Sequence, residues 1–137
     1  IVLPFPVEHD CAEPYGYLIY CISTGEKLLF ATDTYYIRHR FSGLNYIMVE
    51  CNYIPDILEA NVEAGIVPRT LRDRLIESHF SLANVKAFLQ ANDLSQVKGI
   101  WLLHMSDQNC DAGRAKREIQ ELTGIPTYIA QEVATCQ

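Results

Sequence analysis

The chain is short of the features that would classify it at once. No apolar run approaches the roughly 20 residues needed to cross a bilayer, so no membrane-spanning helix and no membrane partner are expected. Cations are scarce: 11 Lys and Arg face 17 Asp and Glu, for a net charge of −6. Such a surface does not draw in nucleic acid by its bulk field, and a polyanionic ligand would need metal ions or a few placed arginines. The five cysteines (Cys11, Cys21, Cys51, Cys110, Cys136) are odd in number and include no Cys-x-x-Cys pair. This argues against a zinc ribbon or a disulfide framework and favours reduced, mostly buried thiols in a cytoplasmic protein. Repeats, low-complexity tracts and linkers are missing. The opening Ile1-Val2-Leu3-Pro4-Phe5-Pro6 has neither the basic start nor the long apolar stretch of a signal peptide, and no Met begins it. A processed chain or a piece of a longer protein is the expectation.

What is present is ordinary globular material. The 137 residues, 49% hydrophobic and 20% charged, suffice for one domain with a real core. Residues 2–7 predict a short strand interrupted by prolines. Residues 16–22 and 27–32 predict a hairpin around Ser23-Thr24-Gly25-Glu26, and 37–45 a polar loop carrying Arg38, His39 and Arg40. Tyr46 to Cys51 is a further strand. The period then changes. Pro55 opens a helix with Ile57, Leu58 and Val62 on one stripe and Gly65 at its stop, and Pro68 opens a second with Leu71 and Leu75. Ser81 caps a third, with Leu82, Val85, Phe88 and Leu89 on one face. Gly99 to His104 is a buried strand. Asp111 caps a last helix whose Ala115, Ile119 and Leu122 face inward and whose stop is Gly124, and residues 127–129 add an edge strand. Strands first, then helices with one more strand between them, imply an α+β fold: a mixed sheet with helices largely on one face.

The polar ends of the strands carry the chemistry. Leu28-Leu29-Phe30-Ala31-Thr32 runs straight into Asp33, and an apolar run ending in an acid delivers a carboxylate at the C-terminal edge of a sheet, where reactive groups collect. His104 ends another such run, and His9 stands where the first strand gives way to a loop. Read singly, Asp33 starts a turn and each histidine is an ordinary side chain satisfied in place. Read together, two imidazoles and a carboxylate at strand ends are the ligand types of a divalent metal.

Four short stretches in a fixed order extend this. Glu8-His9-Asp10 with Glu13-Pro14-Tyr15-Gly16-Tyr17-Leu18-Ile19, then Ala31-Thr32-Asp33-Thr34, then Ser78-His79-Phe80-Ser81, then Leu103-His104-Met105-Ser106 resemble the second half of a metallo-β-lactamase-fold hydrolase. The nuclease and phosphodiesterase branch, with its tRNase Z-like and exonuclease-like members, is the nearer match, and Glu50-Cys51-Asn52-Tyr53 is similar to an element of the exonuclease-like members. The resemblance implies half of an αββα sandwich over residues 1–137. It implies metal ligation by His9, Asp33 (bridging) and His104, two divalent ions (Zn or Mn) in the complete protein, and His79 as general acid. His79 lies two residues before the Ser81 cap, where the helix field would favour a neutral ring. Asn52, Ser106, Asn109 and Arg38 are candidate substrate contacts, with loop turns and a solvated arginine as their plainer readings; Gln108, Arg40 and Lys27 are weaker candidates of the same kind.

One departure stands out. The His-x-His-x-Asp-His motif that supplies most ligands in that family is missing, and no His-x-His pair occurs in the chain. A catalytic zinc takes about three protein ligands, so this chain alone should bind metal weakly or not at all. The expectation is an incomplete half of a metal-dependent phosphodiester hydrolase, completed by an N-terminal half or by a second copy through dimerisation or domain swapping. The alternatives are a catalytically silent module that serves assembly or partner binding, and a relative acting on a cyclic nucleotide, a thioester or a lactone.

Overall fold

A computed structural model describes residues 1–130; Cys136 lies outside them. Six strands and four helices follow in the order β1 (Val2–Pro6), β2 (Tyr15–Tyr20), β3 (Lys27–Ala31), β4 (Tyr46–Glu50), α1 (Pro55–Glu63), α2 (Arg69–Ser78), α3 (Leu82–Gln90), β5 (Gly99–Leu103), α4 (Ala112–Thr123) and β6 (Thr127–Ile129). The strands lie side by side in chain order. β1, β2 and β3 pair antiparallel, while β3, β4, β5 and β6 run parallel. This is the α+β mixed sheet that the pattern of apolar runs implies. The parallel half needs crossovers: a loop joins β3 to β4, three helices join β4 to β5, and α4 joins β5 to β6.

Strand alternation divides the sheet into unequal faces. Leu29, Ala31, Ile47, Val49, Ile100 and Leu102 are fully buried and share one core with Leu82, Val85, Phe88 and Leu89 of α3 and Ala115 and Ile119 of α4. The opposite face carries Leu28, Phe30, Tyr46, Met48 and Trp101, all half-buried, with Tyr17 and Tyr128 exposed. On it Trp101 stacks on Tyr128 at 4.9 Å between ring centroids. A smaller core under α1 and α2 gathers Tyr53, Leu58 and Val67, with Val62 and Leu75 packed against it.

The caps follow the sequence. The Ser81 side chain accepts from the Asn84 amide and that of Asp111 from the Arg114 amide, while Gly124 ends α4 with φ of 69°, a conformation that glycine adopts without strain. Two expectations need correction. Leu122 is 36% exposed: it lies in the last turn of α4, just before the Gly124 stop, beyond the buried Ala115 and Ile119. The thiols are not mostly buried. Cys11 and Cys21 are exposed, since both lie in the turns flanking β2, while Cys51 is buried and Cys110 is partly covered. No helix among the described residues is long and apolar enough to cross a membrane.

Candidate metal centre

Three parallel strands end in polar residues at the same edge. Asp33 follows β3, Glu50 ends β4 and His104 follows β5. His79, at the C-terminal end of α2, joins them, and one ligand atom from each of Asp33, Glu50, His79 and His104 lies within 4.8 Å of the others.

Glu50 is the hub. It is fully buried. Its Oε1 lies 2.6 Å from Nδ1 of His79 and 2.9 Å from Nδ1 of His104, and its Oε2 accepts from the Thr34 amide at 3.1 Å. A carboxylate only accepts hydrogen bonds, so the His79 ring donates Nδ1–H to it and keeps Nε2 available, while His104 Nδ1 faces the same oxygen at ion-pair distance. A carboxylate behind a ligand histidine fixes tautomer and orientation in the same way. His104 Nδ1 also lies 3.4 Å from Asp33 Oδ1. Where Glu50 is sealed, Asp33 and His104 are open, their side chains 51% and 49% exposed. The edge therefore has a dry interior and a wet rim.

Backbone strain falls on the same two rim residues. Asp33 and His104 have φ of 51° and 50°, and they are the non-glycine residues with positive φ among those described. The left-handed region costs an L-residue about 1–2 kcal/mol, and such strain persists only where the surroundings over-determine it. Here they do. The Thr34 hydroxyl bonds the Glu8 and Tyr36 carbonyls (2.8 Å each) and accepts from their amides, tying the turn after Asp33 to the segment that carries His9. Asn52 Nδ2 donates to the His104 carbonyl at 2.8 Å, and its main chain bridges Phe80 and Ser106. The loop after β4 thus draws the His79 and His104 segments together around Glu50.

His9 stands one ring further out, its centroid 6.2 Å from that of His79, whereas His79 and His104 are 5.2 Å apart. Its Nδ1 hydrogen-bonds the Ser78 carbonyl at 2.9 Å and its Nε2 lies 3.2 Å from Asp10 Oδ1. It lies outside the group of four but shares with Asp33 and His79 an open depression of about 250 Å³.

The field at His79 is the reverse of the one expected from Ser81. His79 caps the C-terminal end of α2, where a helix favours a cation. The hydrogen bond to Glu50, before any other cause, raises its pKa above the ordinary value, against the opposing effect of burial.

The expected substrate contacts divide. Asn52 supports the His104 backbone. Ser106 and Asn109 form the turn after β5: the Ser106 hydroxyl accepts from the Asn109 amide at 3.1 Å, and Asn109 Oδ1 accepts from Asn61 at 2.9 Å. Arg38 pairs with Glu8 at 2.5 Å. None of these four lines the depression, whose cationic lining residue is Arg74. Sequence reasoning did not place Glu50 in the site, although Tyr46 to Glu50 is, like the run before Asp33, a mostly apolar stretch ending in an acid.

Two imidazoles and two carboxylates, partly open to solvent, are donors of the kind a divalent metal ion takes. A cluster able to hold a metal ion is thus present. No family model matches the chain, and no curated protein is detectably similar to it.

Proposed function

We propose that this chain is the second half of a metallo-β-lactamase-fold hydrolase that cleaves phosphodiester bonds, of the nuclease or cyclic-nucleotide phosphodiesterase type. One observation carries the reading: a buried glutamate, two histidines and a strained, exposed aspartate meet at the C-terminal edge of parallel strands. In this reading Asp33, His104 and His9 would hold two divalent ions, zinc or manganese, with Asp33 shared between them. The remaining ligands come from a His-x-His-x-Asp-His motif outside the 137 residues. Ions bound there supply Lewis acidity and acidify water for in-line attack. His79, held by Glu50 through Nδ1, gives up a proton from Nε2 to the leaving oxygen. The half-buried aromatic face of the sheet is where the complementary half, or a second copy of this chain, would pack to complete an αββα sandwich. The four described cysteines are unpaired, in keeping with a reducing, cytoplasmic setting.

A second reading also has an observation behind it. Both Glu50 oxygens are already engaged by His79, His104 and Thr34 without any ion. A catalytically silent module for assembly would keep such a self-satisfied network. One measurement separates the readings, since both expect only weak zinc or manganese binding by the isolated chain. The hydrolase reading alone expects manganese-dependent cleavage of bis(p-nitrophenyl) phosphate once the chain is joined to the upstream part of its source protein, with turnover lost in Asp33→Ala. Unchanged turnover in that variant, or no turnover in the joined protein, would refute it.

A further inference from the structure

One wall of the depression is a single face of α2. Leu71, Arg74, Leu75 and Ser78 stand at i, i+3, i+4 and i+7, the spacing of one helical stripe. Leu71 is 45% exposed, an apolar surface kept at the mouth of the depression. Arg74 is the one permanently cationic residue in the lining. Among the described residues its guanidinium enters no ion pair, whereas Arg38, Arg72 and Arg114 are each held by acids. Asp10 and Asp33 line the same space, so a negative ligand is repelled along that side and welcomed at Arg74. His79, the C-cap of α2, lies five positions after Arg74, roughly 7.5 Å further along the axis. Because Cα–Cβ bonds tilt toward a helix N-terminus, the Arg74 side chain also starts away from His79. Arg74 is therefore displaced from the position that His79 serves.

We infer that Arg74 is an anion subsite for a second phosphate of the substrate, one nucleoside removed from the phosphate that is cut, with Leu71 beneath the intervening base. The inference rests on the phosphodiesterase reading and sharpens it: the substrate is the end of a linear strand, since a cyclic mononucleotide has no second phosphate to offer. Arginine suits the role because its fork meets phosphate oxygens in pairs.

The test is equilibrium binding to the chain joined to the upstream part of its source protein, in excess zinc, with thymidine 3′,5′-bisphosphate and thymidine 5′-monophosphate as probes. The bisphosphate is expected to bind about tenfold tighter, the effect of one charge-assisted contact. Arg74→Ala should bring it down to the level of the monophosphate while leaving monophosphate affinity unchanged, and Arg74→Lys should keep part of the gain. The Arg74 Nε–H resonance should shift with the bisphosphate alone. Arg74 is exposed, so its variants should keep the helical circular dichroism of the parent. Equal affinities in the joined protein, or an equal loss of both in Arg74→Ala, overturn the subsite and leave the phosphodiesterase reading standing. If neither probe binds the joined protein, both fall.

Discussion

Two groups of charged side chains in this molecule have nearly the same spacing and opposite character. On the outside of α3 and α4, Arg114 reaches Asp56 at 2.6 Å and Glu118 at 2.7 Å, and Lys86 reaches Glu118 at 2.9 Å. At the sheet edge, Glu50 reaches His79 at 2.6 Å and His104 at 2.9 Å. Distance does not separate them; surroundings do. The outer group is partly open to solvent and joins side chains that stay charged at neutral pH, with Glu118 held below its usual pKa chiefly by Arg114. The inner group seals its carboxylate completely, uses weak bases and sits between two strained residues. The outer pairs gain little over hydration. The inner acid must be paired or the fold suffers. The comparison teaches that burial and strain, rather than short contacts, distinguish a chemical site from decoration.

The contrast can be broken most sharply at its hub. Glu50→Ala should lower the free energy of unfolding by about 3 kcal/mol in a urea titration, since His79 and the Thr34 amide lose their acceptor and His104 its ion-pair partner. A loss under about 1 kcal/mol would put the inner group on a par with the outer one. A smaller effect follows from pH. Because folding raises the pKa of His79 above 6.5, the Glu50–His79 pair stabilises fully below that unfolded value and fades as pH climbs through the higher folded one. The urea midpoint of the parent chain should therefore fall from pH 6 to pH 9 more than that of His79→Gln, whose side chain does not titrate. Parallel pH profiles would show that the ring stays neutral. The least effect belongs to the outer group. Arg114→Ala should cost less than about 1 kcal/mol and less still in high salt, and a loss as large as that at Glu50 would erase the distinction.

Much of this was legible along the chain, for identifiable reasons. Ser81, Asp111 and Gly124 cap helices where local chemistry says they should. Asp33 and His104 stand out because an apolar run that stops at a polar residue marks a strand leaving the core. The same rule applies to Glu50. Its burial, though, depends on histidines 29 and 54 residues away in sequence, which the local pattern does not carry. His79 was misjudged electrostatically for a related reason: the Ser81 cap is visible in sequence, while the Glu50 oxygen and the end of α2 beside the ring are not. Arg38 and Arg74 look alike in a list of residues. Only folding hands Glu8 to the first and leaves the second on an open wall.

By itself, then, the order of residues determined which segments become strands and helices and where each begins, because hydrophobic period, proline, glycine and capping act over a few neighbours. Folding alone decided which polar ends share an edge. That choice depends on parallel crossovers and on hydrogen bonds such as Asn52 to His104 and Thr34 to Glu50, each linking residues far apart in the chain. Their joint strength holds Asp33 and His104 in a conformation that neither residue would adopt alone.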